Sequence, residues 1–330
     1  VSESFAKDAS AECKSLANEY RNFDADNEKI EQRPIPSRPI SKVFASGDVT
    51  WYAPTTLSEV IALRTKLKRP PFVLGDTAKG MRQAAYETFG GKATSVIYLG
   101  NVDELNFIEE SHHNLIFGAG MRIDDICTAV KKRADKLAYA NELAAGISTL
   151  AQRHVRAEAG WAGNLMITRT GFPSDLVPCL LAVDAKVSFV TDNPHHEETI
   201  NIEDFKQGHV PANALLTKLT LPLKTTGIFR YYRVAFRKWL AHAFVNAAFR
   251  IEVDPATKKV TEARVSVGVY GQGPKRSESA EEAFVGNYLN TETLQKVIKG
   301  IHTDFDDEFS SEAQYKSVDN PKGKDEYRKY

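Results

Sequence analysis

Phe72-Val73-Leu74-Gly75-Asp76-Thr77-Ala78-Lys79-Gly80 runs a short apolar strand straight into a loop with glycines five apart and a threonine between them. Glycine lets the main chain approach an anion closely, and consecutive backbone amides in such a loop form an anion-binding nest. The spacing is neither GxGxxG nor GxxxxGK[ST], which sets aside the dinucleotide fingerprint and the P-loop. A second glycine turn, Gly160-Trp161-Ala162-Gly163-Asn164, follows helical spacing and gathers small residues that permit close packing against a strand or a flat ligand. Taken alone, each turn reads as a structural corner.

Outward from the first turn, residues 50–53 read as a strand and 57–67 as a helix, by the spacing of Leu57, Val60, Ile61, Leu63 and Leu67. Residues 95–99 and 114–118 read as strands, 123–136 as a helix and 137–155 as largely helical. Beyond Asp175 the pattern becomes strand-rich, with β-branched and aromatic residues over 186–190, 215–221, 230–234, 247–253 and 261–270. Asp254-Pro255 supplies the turn of a hairpin over 254–259. Helical spacing returns at 294–301. The alternation implies an α+β or α/β core.

The ends of the chain differ from this texture. Residues 2–20 fit one amphipathic helix with Phe5, Ala9, Leu16 and Tyr20 on a face, and 22–42, carrying Pro34, Pro36 and Pro39, read as a polar linker. The tail after Asp304 is charged and serine-rich and reads as mobile. Pro222 and Thr225-Thr226-Gly227 interrupt the pattern near residue 222. The expected division is 1–45 for helix and linker, 46–222 for the main domain, 223–305 for a smaller α+β domain and 306–330 for the tail.

The 330 residues are 42% hydrophobic and 26% charged, enough for two domains with their own cores. The 43 basic and 43 acidic residues cancel, so no global field favours nucleic acid or an anionic membrane. The basic run Lys131-Lys132-Arg133 follows Ile123, Ile126 and Val130 and reads as the solvated end of an amphipathic helix. Cys13, Cys127 and Cys179 are scattered and form no CxxC pair, which argues for a reducing compartment and against a zinc or iron–sulfur site. No membrane span or signal peptide is read, and a cytoplasmic location is the expectation. A chain starting at Val1 is expected to be processed or excised from something longer. His112-His113 and His195-His196 lie among polar loop residues and read as solvated.

Taken in order with Phe172-Pro173-Ser174-Asp175 and the strand ending Leu219-Thr220-Leu221-Pro222, the two turns resemble the FAD-binding module of the molybdenum hydroxylases. This is the family of xanthine dehydrogenase and aldehyde oxidase, and the nearest likeness is to arthropod aldehyde oxidases. The resemblance runs from about Thr50 to Tyr330. The first turn is similar to the family's V-x-G-N-T-x-x-G loop, and Asn101-Val102-Asp103-Glu104-Leu105 to its N-V-x-E-L segment; residues 115–119 also fit. His154-Val155-Arg156 with residues 161–166 resembles its Q-V-R-N-x-x-x-I-x-G-N-L stretch. Residues 172–175 and His242-Ala243-Phe244-Val245-Asn246-Ala247 resemble the arthropod F-P-S-D and H-A-x-V-N-A segments. Several motifs in one order are more specific than any alone. The implied fold is α+β: a two-subdomain FAD-binding module of the PCMH type, followed by a smaller C-terminal domain of sheet and helix.

Carried over residue by residue, the resemblance implies that Phe72, Val73, Leu74, Gly75, Asp76, Thr77, Ala78 and Lys79 wrap the pyrophosphate and ribityl chain of FAD. Gly163 and Asn164 complete the second turn, and Leu150, Gly160, Asp175, Leu216 and Phe244 stand at the remaining cofactor-contact positions. Backbone amides suit phosphate, the Asp175 carboxylate suits ribityl hydroxyls, and apolar side chains suit adenine or isoalloxazine. The chain departs from the pattern where Asp76 and Ala157 replace Asn, where Gly160 replaces Ser or Thr, and at Phe244, where many relatives carry a charge. No catalytic residue or metal ligand is implied, because the hydride or electron chemistry belongs to flavin.

A full enzyme of this family oxidises its substrate at molybdenum and passes electrons through two iron–sulfur clusters to flavin. This chain has neither the cysteines nor the length for those centres. The implied partners are therefore iron–sulfur and molybdenum-cofactor domains or subunits, and a homodimer stays open; nucleic acid and membrane are not expected. Two readings follow: a flavin-carrying part of such an oxidoreductase, or a non-catalytic descendant acting as a binding or structural protein with weakened FAD binding.

Overall fold

Short apolar runs punctuated by Gly, Pro and Asp build three sheets with helices between them. The computed structural model describes residues 41–310, except 69, 79–93, 171–173, 207, 212, 238–240 and 270–272. The helix expected over 2–20, nearly all of the expected linker, Cys13, Lys79, Gly80, Phe172, Pro173 and the tail from 311 lie outside the described residues.

Strands β1 (Lys42–Ser46) and β2 (Val49–Ala53) form an antiparallel hairpin about Gly47, at φ +60°. Helix α1 (Leu57–Lys66) leads to β3 (Phe72–Val73), and β4 (Ser95–Tyr98) inserts parallel to both β2 and β3, giving the order β1-β2-β4-β3. Thr56 caps α1 by accepting the Glu59 N–H, and Glu104 accepts the Leu57 N–H. Strand β1 precedes the first strand that residue spacing predicts. Its apolar residues Val43 and Phe44 are both exposed, so it carries no inward-facing pattern.

Strands β5 (Ile108–Glu110) and β6 (Asn114–Gly118) open the second sheet. Five helices follow: α2 (Ile123–Lys131), α3 (Ala140–Ser148), α4 (Arg153–Arg156), α5 (Trp161–Ile167) and α6 (Leu176–Ala182). Then come β7 (Lys186–Val190), β8 (Glu197–Asn201), α7 (Ile202–Lys206) and β9 (Leu215–Pro222), completing an antiparallel sheet of order β5-β6-β9-β7-β8. Helix α2 stops short of Lys136, where Arg133 and Lys136 turn to pair with Glu110. The helical stretch expected over 137–155 divides because Ala151 takes φ +50°, a left-handed conformation that ends a helix. The second glycine stretch, expected as a turn, is the first turn of α5, with Gly160 its extended N-cap residue. Helix α6 had no periodic signature because all seven of its residues are buried.

The third sheet holds β10 (Ile228–Val234), β11 (Val245–Val253), β12 (Val260–Val269) and β13 (Lys275–Arg276) in that order. Helices α8 (Glu278–Phe284) and α9 (Thr291–Ser310) cover one face, burying Val265, Val267, Phe284, Val297 and Phe305. Phe229 and Ala248 on the other face join the main core. The hairpin expected at Asp254 is present, with its carboxylate accepting the N–H groups of Ala256 and Thr257 and Lys258 at φ +60°. Helix α9 runs on to Ser310, past the onset of the charged tail. Where the third sheet meets α6, the wholly buried Arg250 is hydrogen-bonded to Ala182 and paired with Asp184, Glu252 and Glu262, and Lys224 and Arg264 complete the network.

Candidate functional site

Parallel pairing with β4 fixes β3, and the chain leaves its carboxyl end as the loop of residues 74–78. Gly75 is required by what lies beneath it. A Cβ there would be driven into the main-chain carbonyl of Glu158, with the carbonyl carbon 2.6 Å and the Ala159 nitrogen 3.3 Å away. Leu74 lies over Gly160, where a Cβ would collide with Leu74 Cδ2. The two glycine stretches, distant in sequence, are therefore in direct contact. Asp76 takes φ +50°, a region that Asn and Asp enter more readily than other non-glycine residues. Aspartate in place of the family's Asn thus suits the loop's backbone. Asp76 and Thr77 are exposed and Ala78 is half-buried.

The second stretch is anchored from beneath. Trp161 is completely buried, and its indole N–H donates to the Gly118 carbonyl at the end of β6, at 2.8 Å. Arg122 pairs with Gly160 in an isolated antiparallel bridge, and the Ile123 N–H donates to the Ala159 carbonyl at 2.9 Å. Gly163 faces open space, with nothing within 4 Å of a Cβ position. A flat or phosphate-bearing ligand meets open backbone at Gly163, while glycine at 75 and 160 lets the two stretches close on one another. The residues present fit FAD in this respect.

From the second stretch a chain of hydrogen bonds leads to Asp175. Asn164 Oδ1 accepts from Ser174 Oγ at 2.6 Å, and Ser174 Oγ accepts the N–H groups of Leu176 at 3.1 Å and Val177 at 3.3 Å, starting α6. The Asp175 carboxylate accepts from Arg233 Nε at 2.9 Å, Asn246 Nδ2 at 2.7 Å and the Tyr231 hydroxyl at 3.3 Å. Burial pushes the Tyr231 phenol well above its ordinary range, so it remains a protonated donor. Three of roughly four carboxylate acceptor positions are thus committed to the protein. These partners stand 56 to 71 residues downstream and gave no spacing signal. A polar residue inside an apolar strand, as Asn246 is in β11, was the only hint.

The structure joins Leu74, Gly75, Gly160, Asn164 and Asp175 into one connected path. Phe72 stacks under the Arg64 guanidinium, 5.1 Å from its ring centre, and Val73 is buried in β3. Leu150 and Leu216 are 7% and 3% exposed, covered by protein, so only their backbone could meet a ligand. Phe244 packs edge-to-face on Phe236 at 4.3 Å. His112, His113, His195 and His196 are exposed, and among the described residues no His, Cys, Asp and Glu cluster could hold a metal. Burial pushes the Cys127 thiol up to about 11, leaving it unreactive.

The Leu74–Gly160 contact gives a direct test. Gly160→Ser is expected to cost about 1–3 kcal/mol by forcing Leu74 aside, and Leu74→Ala in the same chain to recover much of it. A double-mutant cycle by urea unfolding measures the coupling, and strict additivity would count against the contact.

Residues 45–224 match the family described as FAD binding domain in molybdopterin dehydrogenase, and residues 230–329 match the CO dehydrogenase flavoprotein C-terminal domain. The chain is 27% identical over 270 residues to indole-3-acetaldehyde oxidase of Arabidopsis thaliana, covering 75% of this chain and 19% of that protein. It is 26% identical over 278 residues to xanthine dehydrogenase of Drosophila subobscura, covering 79% and 20%. The chain therefore spans about a fifth of the length of these relatives. Among solved structures, quinoline 2-oxidoreductase of Pseudomonas putida superimposes with a TM-score of 0.67 at 17% identity, over 85% of this chain and 91% of that one. CO dehydrogenase of Oligotropha carboxidovorans does so with 0.67 at 19%, over 79% and 88%. These likenesses show the fold. Among the described residues no helix is long and apolar enough to cross a membrane.

Proposed function

Because the chain belongs to the family of FAD-binding domains in molybdopterin dehydrogenases, we propose that it holds FAD across its two glycine stretches and relays electrons within an aldehyde-oxidase- or xanthine-dehydrogenase-like oxidoreductase. The electrons would come from iron–sulfur and molybdenum-cofactor domains or subunits. The observation that carries the reading is the contact of residues 74–75 with residues 158–160, beside the open face at Gly163.

When bound, FAD supplies the capacity to accept electrons and pass them on to O2 or another acceptor. The chain's own residues bind and orient. Backbone amides of residues 75–78 would meet the pyrophosphate, with the exposed Thr77 hydroxyl beside them. Asp175, held by Arg233, Asn246 and Tyr231, keeps one acceptor position for a ribityl hydroxyl. The same reading includes the division of the chain near residue 222, supported by the third sheet beginning at Ile228, and a reducing cytoplasmic setting, supported by the scattered cysteines.

Purified chain is expected to be yellow or to take up added FAD in equal proportion, read by flavin absorbance and quenching of flavin fluorescence. Colourless protein that takes up no FAD would overturn the reading and leave the non-catalytic descendant. One observation favours that second reading: Asp76 is exposed, and on the loop proposed to hold the pyrophosphate its carboxylate would repel phosphate. Removing its charge with Asp76→Asn, which keeps the backbone preference, is expected to tighten FAD binding about fivefold at low salt and less at high salt. Titration at two ionic strengths checks this.

A further inference from the structure

The geometry around Gly160 points to a second polar element of the same site. We propose that Arg122 is directed at the phosphates of the cofactor and supplies positive charge there; the inference rests on the FAD reading above. Directly opposed residues of an antiparallel bridge send their side chains to the same face. Arg122 is opposed to Gly160, and the side-chain direction at Gly160 is fixed, since a Cβ there would strike Leu74. The Arg122 side chain therefore leaves on the face that carries the loop of residues 74–78.

The guanidinium is not fully satisfied among the described residues. Its NH1 nitrogen is enclosed with no hydrogen-bond partner, while the residue as a whole stays half-buried and within reach of solvent. The neighbouring acids are already engaged. Asp125 accepts the backbone N–H of Arg122 at 3.3 Å, and Asp124 pairs with Arg153 at 3.5 Å and Arg156 at 3.7 Å. An enclosed guanidinium nitrogen without an acceptor is costly, so a donor left in this state, on a side chain that leaves on the face of the loop of residues 74–78, marks a place for an anion supplied from outside the chain. Arginine suits that role because its planar fork can give two parallel bonds to one phosphate.

The test compares FAD, ADP and riboflavin binding to the wild-type chain, Arg122→Gln and Arg122→Lys, at low and high salt. ADP carries the pyrophosphate without flavin, and riboflavin the flavin without phosphate. Arg122→Gln is expected to weaken FAD and ADP about tenfold, to flatten their salt dependence, and to leave riboflavin within about twofold. Arg122→Lys should fall between. Unchanged FAD and ADP affinities, or an equal loss of all three ligands, would overturn the assignment. If the wild-type chain binds neither FAD nor riboflavin, the proposed function fails. In that case the ADP arm alone decides Arg122: a loss with Gln and recovery with Lys supports it, and no ADP binding overturns it as well.

Discussion

Gly75→Val is expected to abolish FAD retention and to destabilise the fold by about 3 kcal/mol, because the added side chain has nowhere to go. The obstacle is the Glu158 carbonyl and the Ala159 nitrogen, both main chain and both fixed by neighbouring hydrogen bonds. The Ala159 N–H donates to the Val155 carbonyl at 2.7 Å and its carbonyl accepts from Ile123, so residues 158–160 cannot retreat without loosening α2 and α4. Retreat of residues 74–76 instead would pull the loop off the second stretch and take its amides away from the cofactor. Gly163→Ala is the control. It sits in a helix and faces open space, where Gly→Ala usually gains about 0.5–1 kcal/mol. That variant should be at least as stable as the wild type yet bind FAD less tightly, because its new methyl stands on the face proposed for the ligand. Urea unfolding and FAD titration on both variants separate the roles. A Gly75→Val chain that retains FAD would show that the loop's contact with residues 158–160 does not form the site.

Elements whose burial is one-sided were legible in the sequence. Helix α1, strand β6 and the hairpin at Asp254 show apolar spacing or turn chemistry that needs no knowledge of the rest of the chain. Helix α6 was not, because Leu176-Val177-Pro178-Cys179-Leu180-Leu181-Ala182 is buried on every side and an unbroken apolar run has no period. Strand β8, Glu197-Glu198-Thr199-Ile200-Asn201, failed in the opposite way: it is an edge strand, mostly exposed, and its identity comes from pairing with β7. At the site, the glycines were legible as positions where backbone must come close, but what comes close to them was not. That Gly75 meets Glu158, and that Leu74 fills the room a side chain at 160 would need, depends on three-dimensional contact between distant segments. The tethering of Asp175 by Arg233 and Asn246 is hidden for the same reason, since those residues enter from strands of the third sheet.

That third sheet is tied to the rest of the chain by charge as well as by apolar burial, and Arg250→Met is expected to cost about 3–5 kcal/mol of stability at neutral pH. Arg250 is completely buried. It donates from Nε to the Ala182 carbonyl at 2.8 Å, from NH1 to Glu252 at 2.8 Å and from NH2 to Glu262 at 2.8 Å, and it also pairs with Asp184. Lys224 bridges Glu252 at 3.0 Å and Glu262 at 2.9 Å, and Arg264 bonds Asp184 at 2.7 Å, so three cations face three carboxylates. Removing the buried cation leaves a surplus carboxylate among acids that are only partly exposed, and that penalty exceeds the apolar gain from methionine. The pH dependence follows from Glu262. Burial by itself raises its carboxyl, but hydrogen bonds from Arg250 and Lys224 outweigh it and hold the group at about 2, below the ordinary 4.5. A carboxyl lowered on folding contributes stability that is complete above about pH 4.5 and is lost as pH falls toward 2. Without Arg250 the effect of burial is opposed only by Lys224 and by Arg264, which pairs with Glu262 at 3.3 Å, so the carboxyl rises and the loss of stability begins at higher pH. Thermal unfolding between pH 3 and pH 7 should therefore show the acid limb of Arg250→Met displaced upward relative to the wild type. Arg250→Met with Glu262→Gln should recover part of both effects, since the second change removes the surplus charge without emptying the site. An Arg250→Met chain with wild-type stability and an unmoved acid limb would mean that apolar packing alone holds the third sheet in place.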